Sequence, residues 1–246
     1  MIRVGRIPYL NCEPFYHALD HPTVLDLPPR AMGEAARRGE IDAAPLSVVD
    51  GWALAEAFGP LPFGIAVRRA ARSVLLFSRR PLTRLDGAAI AVTPETSTSV
   101  LLLRVLLALR YGVAPRAWVG PEEEADARLL IGDGALQARG RLEATYPHRI
   151  DLALEWHAWT GLPFVFARWV VRRGCPPEEV QTLAQALGVA LDRGMAALDE
   201  IGARRRELGL TPGEVAEYLR GFAYRLGPDE EKAEAEFRRC LEKLEA

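Results

Sequence analysis

Through its first 170 residues the chain alternates short apolar or β-branched runs with helix-forming segments, and beyond them it is helical to its end. That alternation constrains the fold more than any single motif, because strands separated by helices specify α/β sheets with helical crossovers. Strand-like runs fall at Ile2–Arg6, Val24–Leu27, Ile41–Ala44, Phe63–Val67, Ser73–Ser78, Ala88–Thr93, Ala117–Val119, Ala127–Ile131 and Leu162–Val171. Helical patterns cover Phe15–Leu19, Met32–Arg38, Val100–Tyr111, Glu178–Leu198, Pro212–Tyr224 and Asp229–Leu244. A strand-rich middle with a helical tail implies that the chain leaves one lobe, builds another and returns. The expected division is 1–88 with 172–246 as one lobe and 89–171 as the other, with a small molecule bound between them.

Several function classes are excluded by what the 246 residues contain. Net charge is −2 with no basic block, so neither nucleic acid nor a membrane surface is an expected partner. No apolar signal core follows Met1, and the longest apolar run, Val100–Leu109, is broken by Arg104; the expected location is the cytoplasm. Lysine occurs only at Lys232 and Lys243, both in the last helix. Schiff-base and phosphate-loop enzymes normally place a lysine in the site, so both are poor candidates. Cys12, Cys175 and Cys240 are widely spaced and suit free thiols, and the four histidines form no metal spacing.

Polar groups gather where strands give way to helices. Tyr9, Asn11 and Glu13 lie in a loop fenced by Pro8 and Pro14, directly after the first strand. Read locally, Asn11 is as well suited to capping a turn as to meeting a ligand. Ser47, with Asp50 three residues on, resembles a capping box, which makes it a cap first and a ligand contact second. After the strand Ala88–Thr93 come Thr96, Ser97, Thr98 and Ser99, at the start of a helix. A helix needs one hydroxyl as its cap; four in succession, with free N–H groups and the helix dipole, make an anion site. Asp133, after the strand Ala127–Ile131, either orients a ligand or caps the next helix. Thr211-Pro212-Gly213-Glu214 is a capping box, and Ala233, Phe237, Leu241 and Leu244 form a core stripe on the last helix.

Taken in order, Arg6-Ile7-Pro8-Tyr9-Leu10-Asn11 with Pro14, Ser73-Val74-Leu75-Leu76-Phe77-Ser78, Thr96–Ser99, Leu130-Ile131-Gly132-Asp133, and Thr160-Gly161-Leu162-Pro163-Phe164-Val165-Phe166-Ala167 resemble the MqnA family. Its members are the chorismate dehydratases of the futalosine route to menaquinone, and the resemblance covers nearly the whole chain. It implies a type II periplasmic-binding-protein fold of two α/β lobes with the ligand cleft between them. It also implies conversion of the dianion chorismate to 3-[(1-carboxyvinyl)oxy]benzoate and water, with no metal or organic cofactor. Two family site positions carry over: an asparagine matching Asn11, and a serine matching Ser73 or, further along the same strand, Ser78. Tyr9, Ser47, the hydroxyl run Thr96–Ser99 and Asp133 are the expected binding residues. Two details depart from the family pattern. Val48 stands where a second serine is usual, and Ala153 stands where glycine commonly follows Asp151-Leu152.

The chemistry fits such a residue set. Loss of water makes the chorismate ring aromatic, so the driving force is large. The protein must fix a conformer and hold spreading negative charge with preorganised donors, and it does not need a strong acid and base. The resemblance implies that the substrate's own side-chain carboxylate takes the proton. Rival readings are the sister enzyme 1,4-dihydroxy-6-naphthoate synthase, for which His148 or His157 would be the base, a non-catalytic binder of small anions, and a regulator's effector domain. The last lacks room for a helix-turn-helix segment, and the absent signal peptide counts against a solute receptor.

Overall fold

The computed structural model describes residues 1–21 and 23–245. Val4–Arg6 forms β1, and a 3-10 turn over Leu10–Cys12 runs straight into α1, Glu13–Tyr16. Then follow β2 (Val24–Asp26), α2 (Pro29–Arg37), β3 (Ala43–Ser47), α3 (Val48–Ala53) and β4 (Phe58–Val67). The middle of the chain supplies β5 (Val74–Ser78), β6 (Ala89–Val92), α4 (Thr98–Val105), β7 (Ala117–Val119) and β8 (Ala127–Ile131). After these come α5 (Gly132–Ala138), β9 (His148–Asp151), α6 (Leu152–Thr160) and β10 (Phe164–Arg172). The tail is α7 (Pro177–Ala196), α8 (Leu198–Arg204), α9 (Pro212–Arg220), β11 (Phe222–Arg225) and α10 (Pro228–Glu245). None of the helices of the described residues is long and apolar enough to cross a membrane.

The chain folds into two compact units, residues 1–66 with 165–227 and residues 67–164 with 228–246. Each has its own mixed sheet, in the order β11-β4-β10-β3-β1-β2 in the first unit and β7-β6-β8-β5-β9 in the second. The expected boundaries differ from these in three places. Residues 165–171, expected in the second lobe, lie in β10, which pairs with β3 and so belongs to the first unit. Residues 67–88 carry β5, which lies between β8 and β9 and so belongs to the second unit. Helix α10 belongs there as well, because Phe237 packs edge-on against Trp156 and Phe164, with ring centroids 5.9 and 5.0 Å away. Of the stripe on the last helix, Ala233 and Phe237 are buried, as its spacing predicted, and serve the second unit, whereas Leu241 and Leu244 are only half-buried.

Three elements depart from the sequence pattern. Residues 152–160, a Trp-rich stretch given neither strand nor helix by the sequence pattern, form helix α6, capped by Asp151 and ended by Gly161 at φ +74°. The tail helix expected over Glu178–Leu198 ends at Ala196, and α8 begins anew at Leu198. Helix α9 stops at Arg220, and Phe222–Arg225 becomes a strand beside β4. There Phe222 and Tyr224 alternate inward, and Tyr224 meets Phe15 at 5.5 Å; pairing with β4 overrides a pattern equally compatible with helix. The Thr211 capping box forms as expected.

In the first unit the core is aromatic. Phe15 is fully buried and meets Phe63, Trp169 and Tyr224 edge-on at 5.5–6.0 Å, geometry favoured by the ring quadrupoles. An ionic fastener joins three strands. Arg3 donates to both carboxylate oxygens of Asp42, at 2.9 and 2.8 Å, and Arg172 adds a contact at 3.3 Å. The Arg3 hydrogen bond holds the Asp42 carboxyl at about 2, below its ordinary 3.8, against the opposing effect of burial. A carboxyl whose pKa is lowered by folding stabilises the native state above its unfolded pKa. That contribution is lost as pH falls from about 4 through about 2. Thermal melts of wild type and Asp42→Asn should therefore differ above about pH 4 and converge toward about pH 2. Melting curves offset by the same amount throughout would show that the Asp42 charge contributes nothing.

Candidate active site

In the first unit the chain leaves β1 at Arg6, extends through Tyr9 (φ −99°, ψ 150°) and enters the 3-10 turn that carries Asn11. Neither the turn nor α1 has a side-chain cap, and the cap positions are Tyr9 and Cys12. Asn11 therefore does not cap. Its Oδ1 is buried and has no hydrogen-bond partner among the described residues. An amide oxygen removed from water and left unpaired costs about 1–3 kcal/mol, so its position is one suited to a ligand's donor. Four contacts hold the loop. Phe15 is sunk in the aromatic core, Tyr16 OH donates to Gly5 O at 2.9 Å, Arg205 donates to Glu13 at 2.8 Å, and the backbone of Pro14 lies against Gly194 of α7.

Ser47 behaves as its spacing predicted. Its Oγ accepts from Asp50 N at 3.2 Å and donates to Asp50 Oδ2 at 2.7 Å, while Arg37 pairs with the same carboxylate at 2.5 Å. Both roles of the hydroxyl are filled by the start of α3. Arg6 is likewise engaged, by two contacts to Asp26 at 2.7 Å.

In the second unit the strand register brings the remaining candidates to one end of one sheet. Val74 faces Ile131, Leu75 faces Asp151, and Val92 faces Leu129. The start of β5 and the ends of β6, β8 and β9 therefore share an edge. Ser73 stands there, with the run Thr93–Ser99, the Gly132-Asp133 pair and Asp151. Ser73 is 1% exposed. Its carbonyl accepts from Gly132 N at 2.8 Å, and its hydroxyl makes a long 3.4 Å contact to Ala71 O. Helix α4 begins after Ser97, which makes no side-chain cap. Thr93, Thr96 and Thr98 each have a buried Oγ1 without a hydrogen-bond partner among the described residues. Three desolvated hydroxyls without a partner among the described residues, at or beside a helix N-terminus, are an arrangement that could donate to an anion. Ser99 is buried in the first turn of the same helix. Asp133 lies in the first turn of α5, whose cap position is Ile131, so Asp133 does not occupy the N-cap.

Ser78 is at the other end of β5. It faces Ala127 and His148, at the opposite edge of the sheet. Its Oγ donates to Arg80 O at 2.6 Å and accepts from Arg80 N at 3.2 Å, which shapes the turn after β5. Register thus separates two serines that sequence alone left as alternatives. His148 shares the Ser78 edge, and His157 Nδ1 lies 3.2 Å from Leu162 O in the segment that closes α6. His148 is therefore at the end of the sheet away from Ser73.

Asp151 is the residue that sequence reasoning passed over. Its carboxylate meets four backbone N–H groups, those of Ala71 (3.2 Å), Arg72 (2.6 Å), Ala153 (3.0 Å) and Leu154 (3.1 Å). Burial pushes its pKa up, and the four donors oppose that shift. A cap before the Trp-rich stretch was legible in the sequence, but the two donors some eighty residues upstream were not.

A profile of the family described as menaquinone biosynthesis matches residues 2–243. A chorismate dehydratase of Thermus thermophilus is 33% identical over 251 aligned residues, spanning 91% of this chain and 89% of the relative. A second, from Campylobacter jejuni subsp. jejuni, is 30% identical over 129 residues, 52% of this chain and 44% of its own length. Among solved structures, a protein of Archaeoglobus fulgidus superposes with TM-score 0.80 at 19% identity, covering 99% of this chain and 97% of that one. The periplasmic aliphatic sulphonate binding protein of Escherichia coli gives 0.66 at 14% identity, with 99% and 86% covered. A Candida albicans gene product described as having the generic periplasmic-binding-protein fold gives 0.67 at 10% identity, with 99% and 89% covered. The fold is thus periplasmic-binding-protein-like.

Proposed function

Because the chain belongs to the menaquinone-biosynthesis family that its sequence matches over residues 2–243, we propose that it is a chorismate dehydratase. It is a hydro-lyase that converts chorismate to 3-[(1-carboxyvinyl)oxy]benzoate and water. The structural observation that supports this reading most is the strand-end cluster of the second unit. Its buried hydroxyls of Thr93, Thr96 and Thr98 lack partners among the described residues, beside Ser73 and a helix N-terminus.

The substrate carries two carboxylates and a hydroxyl that must leave. The hydrogen beside the ether oxygen is vinylogous to the ring carboxylate, so its removal delocalises charge into that carboxylate. Loss of hydroxide then closes the aromatic ring, and the proton and hydroxide together make the water released. Thr96, Thr98 and Ser99, with the N–H groups that open α4, bind one carboxylate, and Ser73 holds the other or the departing hydroxyl. Asn11 orients the substrate through its amide. The proton passes to the substrate's own side-chain carboxylate, in keeping with the placement of His148 at the Ser78 end of the sheet. Tyr9 and Asp133 complete the binding set.

Incubating the purified protein with chorismate tests the reading. The expected result is loss of the chorismate diene absorbance with appearance of an aromatic ether lighter by one water. Tight binding without turnover would leave only the anion-binding reading.

A further inference from the structure

We propose that Asp151 is the positioning residue for Ser73, and that it acts by holding the strained turn that leads into β5. The inference rests on the reading of Ser73 as a group that acts on chorismate. It begins from one backbone outlier: Arg72, at φ +62°, is the sole non-glycine residue with positive φ among the described residues. An L side chain in this region crowds its own backbone, and such strain persists only where surroundings over-determine it. Here they do. The Arg72 N–H donates to Asp151 Oδ2 at 2.6 Å and the Ala71 N–H to Oδ1 at 3.2 Å.

The plainer role for Asp151 is to cap α6, through Ala153 and Leu154. Capping uses one oxygen of the carboxylate. The other is spent on Arg72, far away in sequence, and the register explains how it arrives there. Asp151 faces Leu75 across the sheet, which sets its side chain beside the residues that precede β5. Ser73 follows Arg72 directly and is pinned on its far side by the bond from Gly132 N. The direction of the Ser73 side chain is therefore set by a turn that Asp151 holds on one side and Gly132, at the start of α5, on the other. Letting Arg72 relax to negative φ would rotate Ser73 away from the hydroxyl cluster.

The test is a double-mutant cycle of Asp151→Asn with Arg72→Gly. Asparagine offers one acceptor oxygen and turns N–H donors toward donors, while glycine adopts positive φ without the clamp. Asp151→Asn alone should lower kcat on chorismate on the order of 30-fold with KM within about threefold. Measured against Arg72→Gly, the same change should cost about threefold or less, a non-additivity that a helix cap would not produce. Equal losses in both backgrounds would overturn the proposal, as would a rise in KM alone. Thermal melts of the four proteins, run without substrate, report the clamp independently of turnover: Arg72→Gly should recover part of the Tm lost to Asp151→Asn. Coupled melts with additive kcat values would show a clamp that does not position Ser73 and would also overturn the proposal. A wild-type protein without turnover would sink the functional reading instead, and the melts alone would then decide the clamp. If Asp151→Asn does not fold, Asp151→Glu, which keeps the charge but shifts the oxygens, enters the same cycle with the same criteria.

Discussion

Asn11→Ala should lower kcat on chorismate by about 10²- to 10³-fold, the range found when a single preorganised donor or acceptor is removed from a charged transition state. The same substitution should leave Tm unchanged or raise it. In the unliganded chain the Asn11 Oδ1 is buried without a partner among the described residues, so its removal relieves a desolvation cost of about 1–3 kcal/mol. Loss of activity with gain of stability is the signature of a residue kept for its chemistry. A structural asparagine would show the reverse, a drop of several degrees with turnover preserved in the folded fraction. If kcat stayed constant and only KM rose, Asn11 would bind substrate without assisting the reaction.

Gly194→Ala carries the largest expected effect on the fold. A Cβ at Gly194 would lie 2.1 Å from Pro14 O and 2.7 Å from Pro14 C and Cα. The obstacle is backbone and cannot rotate away, so either α7 or the start of α1 must move. Alanine gains about 1 kcal/mol of helix propensity over glycine, and overpacking a tight contact costs about 3 kcal/mol or more. The net loss of about 2 kcal/mol corresponds to a Tm drop of roughly 4–8 °C for a chain of this size. Pro14 is three residues from Asn11, and displacing a reacting geometry by about 1 Å costs about 10²-fold in rate. Activity should therefore fall even in protein that remains folded. Gly188→Ala in the same helix is the control, since its Cβ would meet Phe63 Cζ at an ordinary 3.6 Å; it should be neutral or stabilising. If Gly194→Ala melted and turned over like Gly188→Ala, the close packing of α7 on the asparagine loop would have no energetic weight.

What the sequence determined unaided was local. Alternating strand and helix patterns specified an α/β fold. The Thr211 box, the Ser47 cap and the burial of Ala233 and Phe237 on α10 all follow from residues within one or two turns of each other. The proline-fenced asparagine and the surplus of hydroxyls after β6 were visible for the same reason, since a cap requires one such group and the chain supplies several. Tertiary structure decided whatever depends on which segment lies beside which. It set Ser73 and Ser78 at opposite ends of the sheet, because only the register of β5 against β8 and β9 says which end of the strand lies beside the hydroxyl run. It moved residues 67–88 and α10 into the second unit and turned the end of an apparent helix into β11, since pairing and burial outweigh propensity in short segments. It also joined Asp151 to Arg72, two residues whose spacing along the chain carries no signal and whose hydrogen bond exists only because two antiparallel strands bring them together.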